Sequence, residues 1–177
     1  MAPTASLLDR LEPLHADAFS WAAACCGGDL SVAEDVLQEA YVKVACGRAV
    51  FHERSALKTW WLGVVRLTAL EQQRRARRWR RAAEFFVEWF SGLGGGSQPA
   101  ASTLPTMEWV AAEIAKLPPR QAEVLQLVLM QRLTLDEAAQ VMVVSPGSAR
   151  RHYDRAKRRL RSLLPPAAPL DSFDHAC

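Results

Sequence analysis

The sequence predicts an all-α protein made of two small helical domains joined by a flexible linker. Three observations carry that expectation. Apolar residues recur at three- and four-residue spacing on both sides of a single break in composition. No segment shows an alternating strand pattern that competes with this helical spacing. The break itself, 91–106 (SGLGGGSQPAASTLPT), is rich in Gly, Ser and Pro and holds no Lys or Arg. The expected units are a first domain over 1–90, a linker over 91–106, a second domain over 107–164 and a disordered Pro/Ala-rich tail over 165–177. At 177 residues, 50% hydrophobic and 23% charged, the chain has the balance of a folded soluble protein. No run reaches the roughly 18 apolar residues that span a bilayer. The start, MAPTASLLDRLEPLH, carries acids where a secretory signal has a basic end, so a cytoplasmic location without membrane insertion is expected.

The elements follow in order. Gly27-Gly28 ends one helix, and Ser31-Val32-Ala33-Glu34 has the pattern of a capping box opening the next, where Val36, Leu37, Ala40, Tyr41 and Val44 share a face. A further helix starts near Ser55 and runs through Leu57, Trp61, Val64 and Thr68 into an arginine run. Its spacing assigns Trp61 to the core and leaves Trp60 exposed, while Gly63 costs about 1 kcal/mol relative to alanine. Phe85, Phe86, Trp89 and Phe90 pair at i,i+4 before the linker and are read as packing on their own domain, with a docking surface as the alternative.

In the second part, Met107 to Lys116 reads as a short amphipathic helix closed by Leu117-Pro118-Pro119, and Pro119 suits the first turn of a helix carrying Val124, Leu125, Leu127 and Val128. Thr134-Leu135-Asp136-Glu137 is a second capping box, opening about two turns through Ala138, Ala139 and Met142. Ser145-Pro146 then starts a last helix that buries Ala149, Tyr153, Ala156, Leu160 and Leu163.

The net charge of +3, from 22 Lys+Arg and 19 Asp+Glu, conceals its distribution. Six arginines lie between Arg74 and Arg81, and seven basic residues between Arg150 and Arg161. These runs hold 13 of the 22 basic residues and one acid, Asp154, so they carry +12 and the rest of the chain −9. Two polyanion contacts are implied. Cys25, Cys26, Cys46 and Cys177 form no CxxC pair, and the ending Asp174-His175-Ala176-Cys177 matches no standard metal site. With no P-loop, nucleophile elbow or HExxH signature, no catalytic residue, metal or cofactor is expected.

A short capped helix, a tight turn and a second helix with Ser148, Arg150, Arg151, Asp154, Arg155, Lys157 and Arg158 outward have the layout of a helix-turn-helix. Arg150 and Arg151 are candidates for base edges; Arg155, Lys157, Arg158 and Arg159 suit phosphates. In the first part, Trp60 beside the cationic run Arg74, Arg75, Arg77 and Arg78 suits unstacked bases next to a phosphate backbone. Glu34, Asp35, Gln38 and Glu39 form a polar face on their helix; complementing the helix dipole accounts for Glu34 and Asp35 better than for Glu39.

AEDVLQEAYVKV (33–44), SALKTWWLGVVR (55–66) and LPPRQAEVLQLVLMQRLTLDEAAQVMVVSPGSARRHYDRAKRRL (117–160) together resemble, in order and spacing, the bacterial extracytoplasmic-function (ECF) sigma factors of the sigma-70 family. The resemblance implies a region 2 helical bundle and a region 4 helix-turn-helix in a dissociable subunit of RNA polymerase. It implies that Asp35, Gln38 and Glu39 dock on the clamp helices of the polymerase largest subunit. Trp60, Arg66 and Leu67, with Arg74, Arg75, Arg77 and Arg78 along the backbone, would melt and hold the minus-ten element. Ser148, Arg150, Arg151, Asp154, Arg155 and Arg158 would read the minus-thirty-five element. Core RNA polymerase, through its clamp helices and flap, promoter DNA and an anti-sigma factor are the partners implied. Three positions depart from the family pattern: Leu67 stands where an asparagine is common, Val143 where the helix-turn-helix turn usually has glycine, and Gly63 where a larger polar residue is frequent. A stand-alone operator-binding regulator, a nuclease using Asp35 and Glu39 as metal ligands, and a structural adaptor are the rival readings.

Overall fold

A computed structural model describes residues 2–87, 114 and 116–163, and among them only helices and turns occur. Helix α1 (Ala2–Leu11) passes through a 3-10 turn, Glu12–Leu14, into α2 (His15–Cys25), followed by α3 (Leu30–Ala45) and the long α4 (Leu57–Val87). Beyond the linker come α5 (Pro119–Leu125), continued by a π-helical turn at Gln126–Met130, then α6 (Leu135–Met142) and α7 (Pro146–Leu163). The expected linker 91–106, most of the helix expected over 107–116, the tail, and Trp89 and Phe90 lie outside the described residues. The side chains of Arg78, Phe85, Phe86 and Leu163 do so as well.

The helix boundaries follow from local chemistry, with two corrections. The N-cap of α3 is Asp29, not Ser31: its carboxylate accepts the Val32 N–H at 3.1 Å, and the helix begins at Leu30. Gly27 and Gly28, at φ +70° and +92°, turn the chain early enough for an aspartate to cap first, and aspartate caps as well as serine. The Thr134 box forms as expected, with Glu137 N–H donating to Thr134 Oγ1 at 3.3 Å and Thr134 N–H donating to Glu137 Oε2 at 2.9 Å. The second correction is Val143. The sequence implies a turn conformation comfortable for a β-branched residue, yet Val143 is left-handed at φ 55°, ψ 52°. Its N–H donates to Gln140 O at 3.1 Å and that of Val144 to Ala139 O at 3.0 Å, which is a Schellman closure. That closure seats Val144 against the core and outweighs the strain.

Trp21, Val36, Ala40, Val44, Trp61, Leu62 and Val65 form the interior of α2, α3 and α4, and Trp21 Nε1–H donates to Leu62 O at 3.1 Å. Val124, Leu127, Ala138, Met142, Ala149, Tyr153, Ala156 and Leu160 fill the space between α5, α6 and α7. These two groups are continuous: α4 packs on α6, and their buried residues, with Ile114, form one cluster. The two parts, tethered in sequence, are closed on each other.

Candidate nucleic-acid interface

The C-terminal interface is built on α7. Ser145 Oγ accepts the Ser148 N–H at 3.2 Å, capping a helix whose proline start needs no N–H partner. Ala149, Tyr153, Ala156 and Leu160 are buried at successive turns, which leaves Arg150, Arg151, Asp154, Arg155 and Arg158 exposed and Ser148 half-buried. Arg151 Nη2 donates to Ser148 Oγ at 3.2 Å, so the cap serines also orient that guanidinium, whereas Arg158 Nε donates to Asp154 O at 3.3 Å. With α6 preceding it across the Val143–Ser145 turn, α7 presents a cationic face wide enough for a major groove.

On α4, Arg74, Arg75 and Arg77 are exposed and Leu67 is 47% exposed. Trp61 is fully buried, as its spacing predicts. Trp60 is half-buried instead of exposed, because Phe51 folds against it at 5.1 Å between ring centroids, with Arg10 over the Phe51 ring at 5.8 Å. Sequence reasoning missed Phe51 and Arg10, which carry no periodic signal in a loop and at a helix end. Arg66 lies apart from its expected companions: it is 4% exposed and ion-paired with Glu123 of α5. The signal for that was present, since Arg66 sits between Leu62, Val65 and Ala69 at core positions, where a charge needs a buried partner.

The face of α3 opposite its buried Ala33, Val36, Leu37, Ala40 and Val44 brings Asp35, Gln38 and Glu39 together, the first two exposed and the third half-buried. Val42, 47% exposed, continues this face, and Lys43 braces α3 against α4 through Thr68 at 3.0 Å and Glu71 at 2.6 Å. An acidic surface carrying an exposed valine is suited to a protein partner.

Between α2, α4 and α5 lies an open groove of about 1040 Å³, lined by Trp21, Leu70, Ile114, Leu117 and Met130 with Arg66, Arg74, Arg77 and Arg120. Cys25 lies on its wall, and burial, reinforced by the Glu123 charge, pushes its thiol far above the usual range, so it is a small apolar group there and no nucleophile. Among the described residues no three His, Cys, Asp or Glu side chains are grouped to hold a metal ion. Nor is any helix among them long and apolar enough to cross a membrane.

Two family models match the chain. The model of sigma-70 region 2 matches residues 11–80, and that of sigma-70, region 4, matches 107–160. No curated protein matches the chain. Among solved structures, the sigma factor RpoE in complex with the anti-sigma factor NepR from Bartonella quintana is similar in fold, with a TM-score of 0.69 at 20% identity over 92% of this chain and 99% of that one. Region 2 carries the α3 face and the α4 arginines, and region 4 carries α6 and α7; with both regions matched in this order on one chain, the protein belongs to the sigma-70 family.

Proposed function

We propose that the protein binds core RNA polymerase and directs it to a small set of promoters, melting the minus-ten region with α4 and reading the minus-thirty-five element with α7. The observation that carries this reading is the presence, on one chain matching regions 2 and 4, of an acidic docking face and two separate cationic helices. Asp35, Gln38 and Glu39 dock on the clamp helices of the largest polymerase subunit. Arg150 and Arg151 reach base edges while Arg155 and Arg158 fix phosphates, with Ser148 and Asp154 completing that face. Trp60, Leu67, Arg74, Arg75, Arg77 and Arg78 serve the opened strand, and Arg66 joins them once released from Glu123. Strand opening is driven by binding energy gained on the unpaired bases, so melting and capture are coupled.

The domains act as 1–90 and 107–164, with 91–106 threading between them toward the polymerase cleft and RNA exit path. An anti-sigma factor holds the protein inactive. The groove between α2, α4 and α5 is its seat, since apolar walls beside Arg74, Arg77 and Arg120 suit an amphipathic helix carrying acids. Replacing Asp35, Gln38 and Glu39 by alanine together should abolish association with core polymerase while leaving duplex DNA affinity intact. Association unchanged in the triple variant would refute the docking assignment.

A further inference from the structure

The groove between α2, α4 and α5 carries chemistry that an inhibitory helix does not exhaust. Among the described residues that line it, Arg66, Arg74, Arg77 and Arg120 are cationic and Glu123 is the one acid, a net +3 around about 1040 Å³. Glu123 is taken up by Arg66 and by Arg120, whose Nη1 contacts it at 3.1 Å while the Arg120 side chain stays 48% exposed. Arg74 and Arg77 are exposed on the α4 side. The walls do not oppose an anion. Burial, with the Glu123 charge at Cys25 and the Asp29 charge at Cys26, raises both thiols and keeps them neutral. A second polar feature lies on the same lining. Gln131 is 3% exposed, and its Nε2 donates to the Asp17 carbonyl at 3.2 Å, which fixes the amide. Its Oε1 is buried with no hydrogen-bond partner among the described residues, a costly state for an acceptor unless a ligand donor reaches it.

We propose that this groove binds a nucleoside polyphosphate, with phosphates on Arg74, Arg77 and Arg120 and a base N–H donating to Gln131 Oε1. The volume is that of a small-molecule site, and Trp21, Leu70, Leu117 and Met130 supply apolar wall for a base. Guanidinium forks match phosphate oxygens two at a time. A bare polyphosphate would satisfy the arginines and leave Gln131 unmatched; an uncharged nucleoside would do the reverse. The site itself does not depend on the sigma-factor reading, but its consequence rests on it. Phosphates on Arg74 and Arg77 occupy cations assigned to the opened strand, so nucleotide and single strand exclude each other there. The acids of an inhibitory helix compete for the same arginines.

The test is isothermal titration calorimetry of the full chain with ATP and GTP, and with inorganic tripolyphosphate, adenosine and guanosine as separate probes. At least one triphosphate should bind about tenfold or more tightly than tripolyphosphate and than its own nucleoside. Arg120→Ala should weaken that triphosphate about tenfold. Gln131→Met should weaken it about fivefold while moving tripolyphosphate less than about twofold, a split that a general loss of packing would not produce. If one of these variants loses its cooperative thermal unfolding, the other serves. Arg48→Ala, which removes an exposed cation outside the groove, should leave the affinity within about twofold of the parent. Tripolyphosphate binding as tightly as both triphosphates, equal weakening by Arg48→Ala and Arg120→Ala, or no saturation below about 1 mM would overturn the site. Saturating triphosphate should also weaken binding of a random single-stranded 20-mer about tenfold. A single strand held equally well with and without the bound triphosphate would leave the site standing and overturn instead the assignment of Arg74 and Arg77 to the opened strand.

Discussion

Val143 offers the sharpest local test, because its side chain is placed where backbone geometry opposes it. It is the residue after α6, at φ 55° and ψ 52°, and 70% exposed, so it gains little packing in return. A left-handed non-glycine residue costs about 1–2 kcal/mol. Glycine removes that strain but gives back roughly 0.5–1 kcal/mol through the greater freedom of the unfolded chain. Val143→Gly should therefore stabilise the protein by about 0.5–1 kcal/mol, or roughly 1–4 °C in Tm for a chain of this size. Val143→Ala, which keeps Cβ and loses the branch, should fall between. Urea titration with m held constant reads the difference, and duplex affinity should be unchanged because the Schellman bonds and α7 are retained. Destabilisation by more than about 0.5 kcal/mol would show that the valine makes a contact that outweighs its strain, and the argument from φ would fail.

Other expectations follow from the same geometry. Gly63 lies inside α4, about two turns from its start, and a Cβ there meets nothing within 4 Å, so Gly63→Ala should add about 1 kcal/mol in thermal unfolding. Glu137 is held below its ordinary carboxylate range chiefly by the Thr134 N–H, then by the Thr134 and Thr59 hydroxyls and the Lys58 charge. A depressed pKa contributes stability present above the ordinary value near 4.5 and lost as pH falls through the lowered one. The stability gap between the parent and Glu137→Gln should accordingly be widest above about pH 5 and narrow under acid, by urea titration across pH. Leu67 is 47% exposed on α4 and carries no hydrogen-bonding group; on the proposed function, Leu67→Asn should change the minus-ten bases selected from a promoter library, and an unaltered preference would remove Leu67 from the reading surface.

The elements legible in the sequence were those governed by local chemistry. The Thr134 capping box, the Ser145-Pro146 start and the period of Ala149, Tyr153, Ala156 and Leu160 depend on neighbours within a turn or two, and each stands as its pattern implies. Where two local solutions compete, spacing alone does not decide: Asp29 and Ser31 both suit a cap, and the tight glycine turn selects the aspartate. Val143 shows closure of a motif prevailing over the preference of its central residue. The site divides along the same line. The exposed faces of α3 and α7 are written in helical period, so Asp35 with Gln38, and Arg150 with Arg151 and Arg155, come together as expected. Trp60 and Arg66 depend on residues distant in sequence. Phe51 comes from a loop and Glu123 from beyond the linker, and no periodicity links either to its partner.

On the proposed function, this chain alone confers promoter specificity on RNA polymerase. Run-off transcription from a random promoter pool, with core polymerase and no other initiation factor, tests it most directly. The selected templates should share two elements at a fixed spacing, and Arg150→Ala should relax only the upstream one. Duplex binding by the protein without any template-selective initiation would contradict it and mark the chain as a stand-alone DNA-binding regulator.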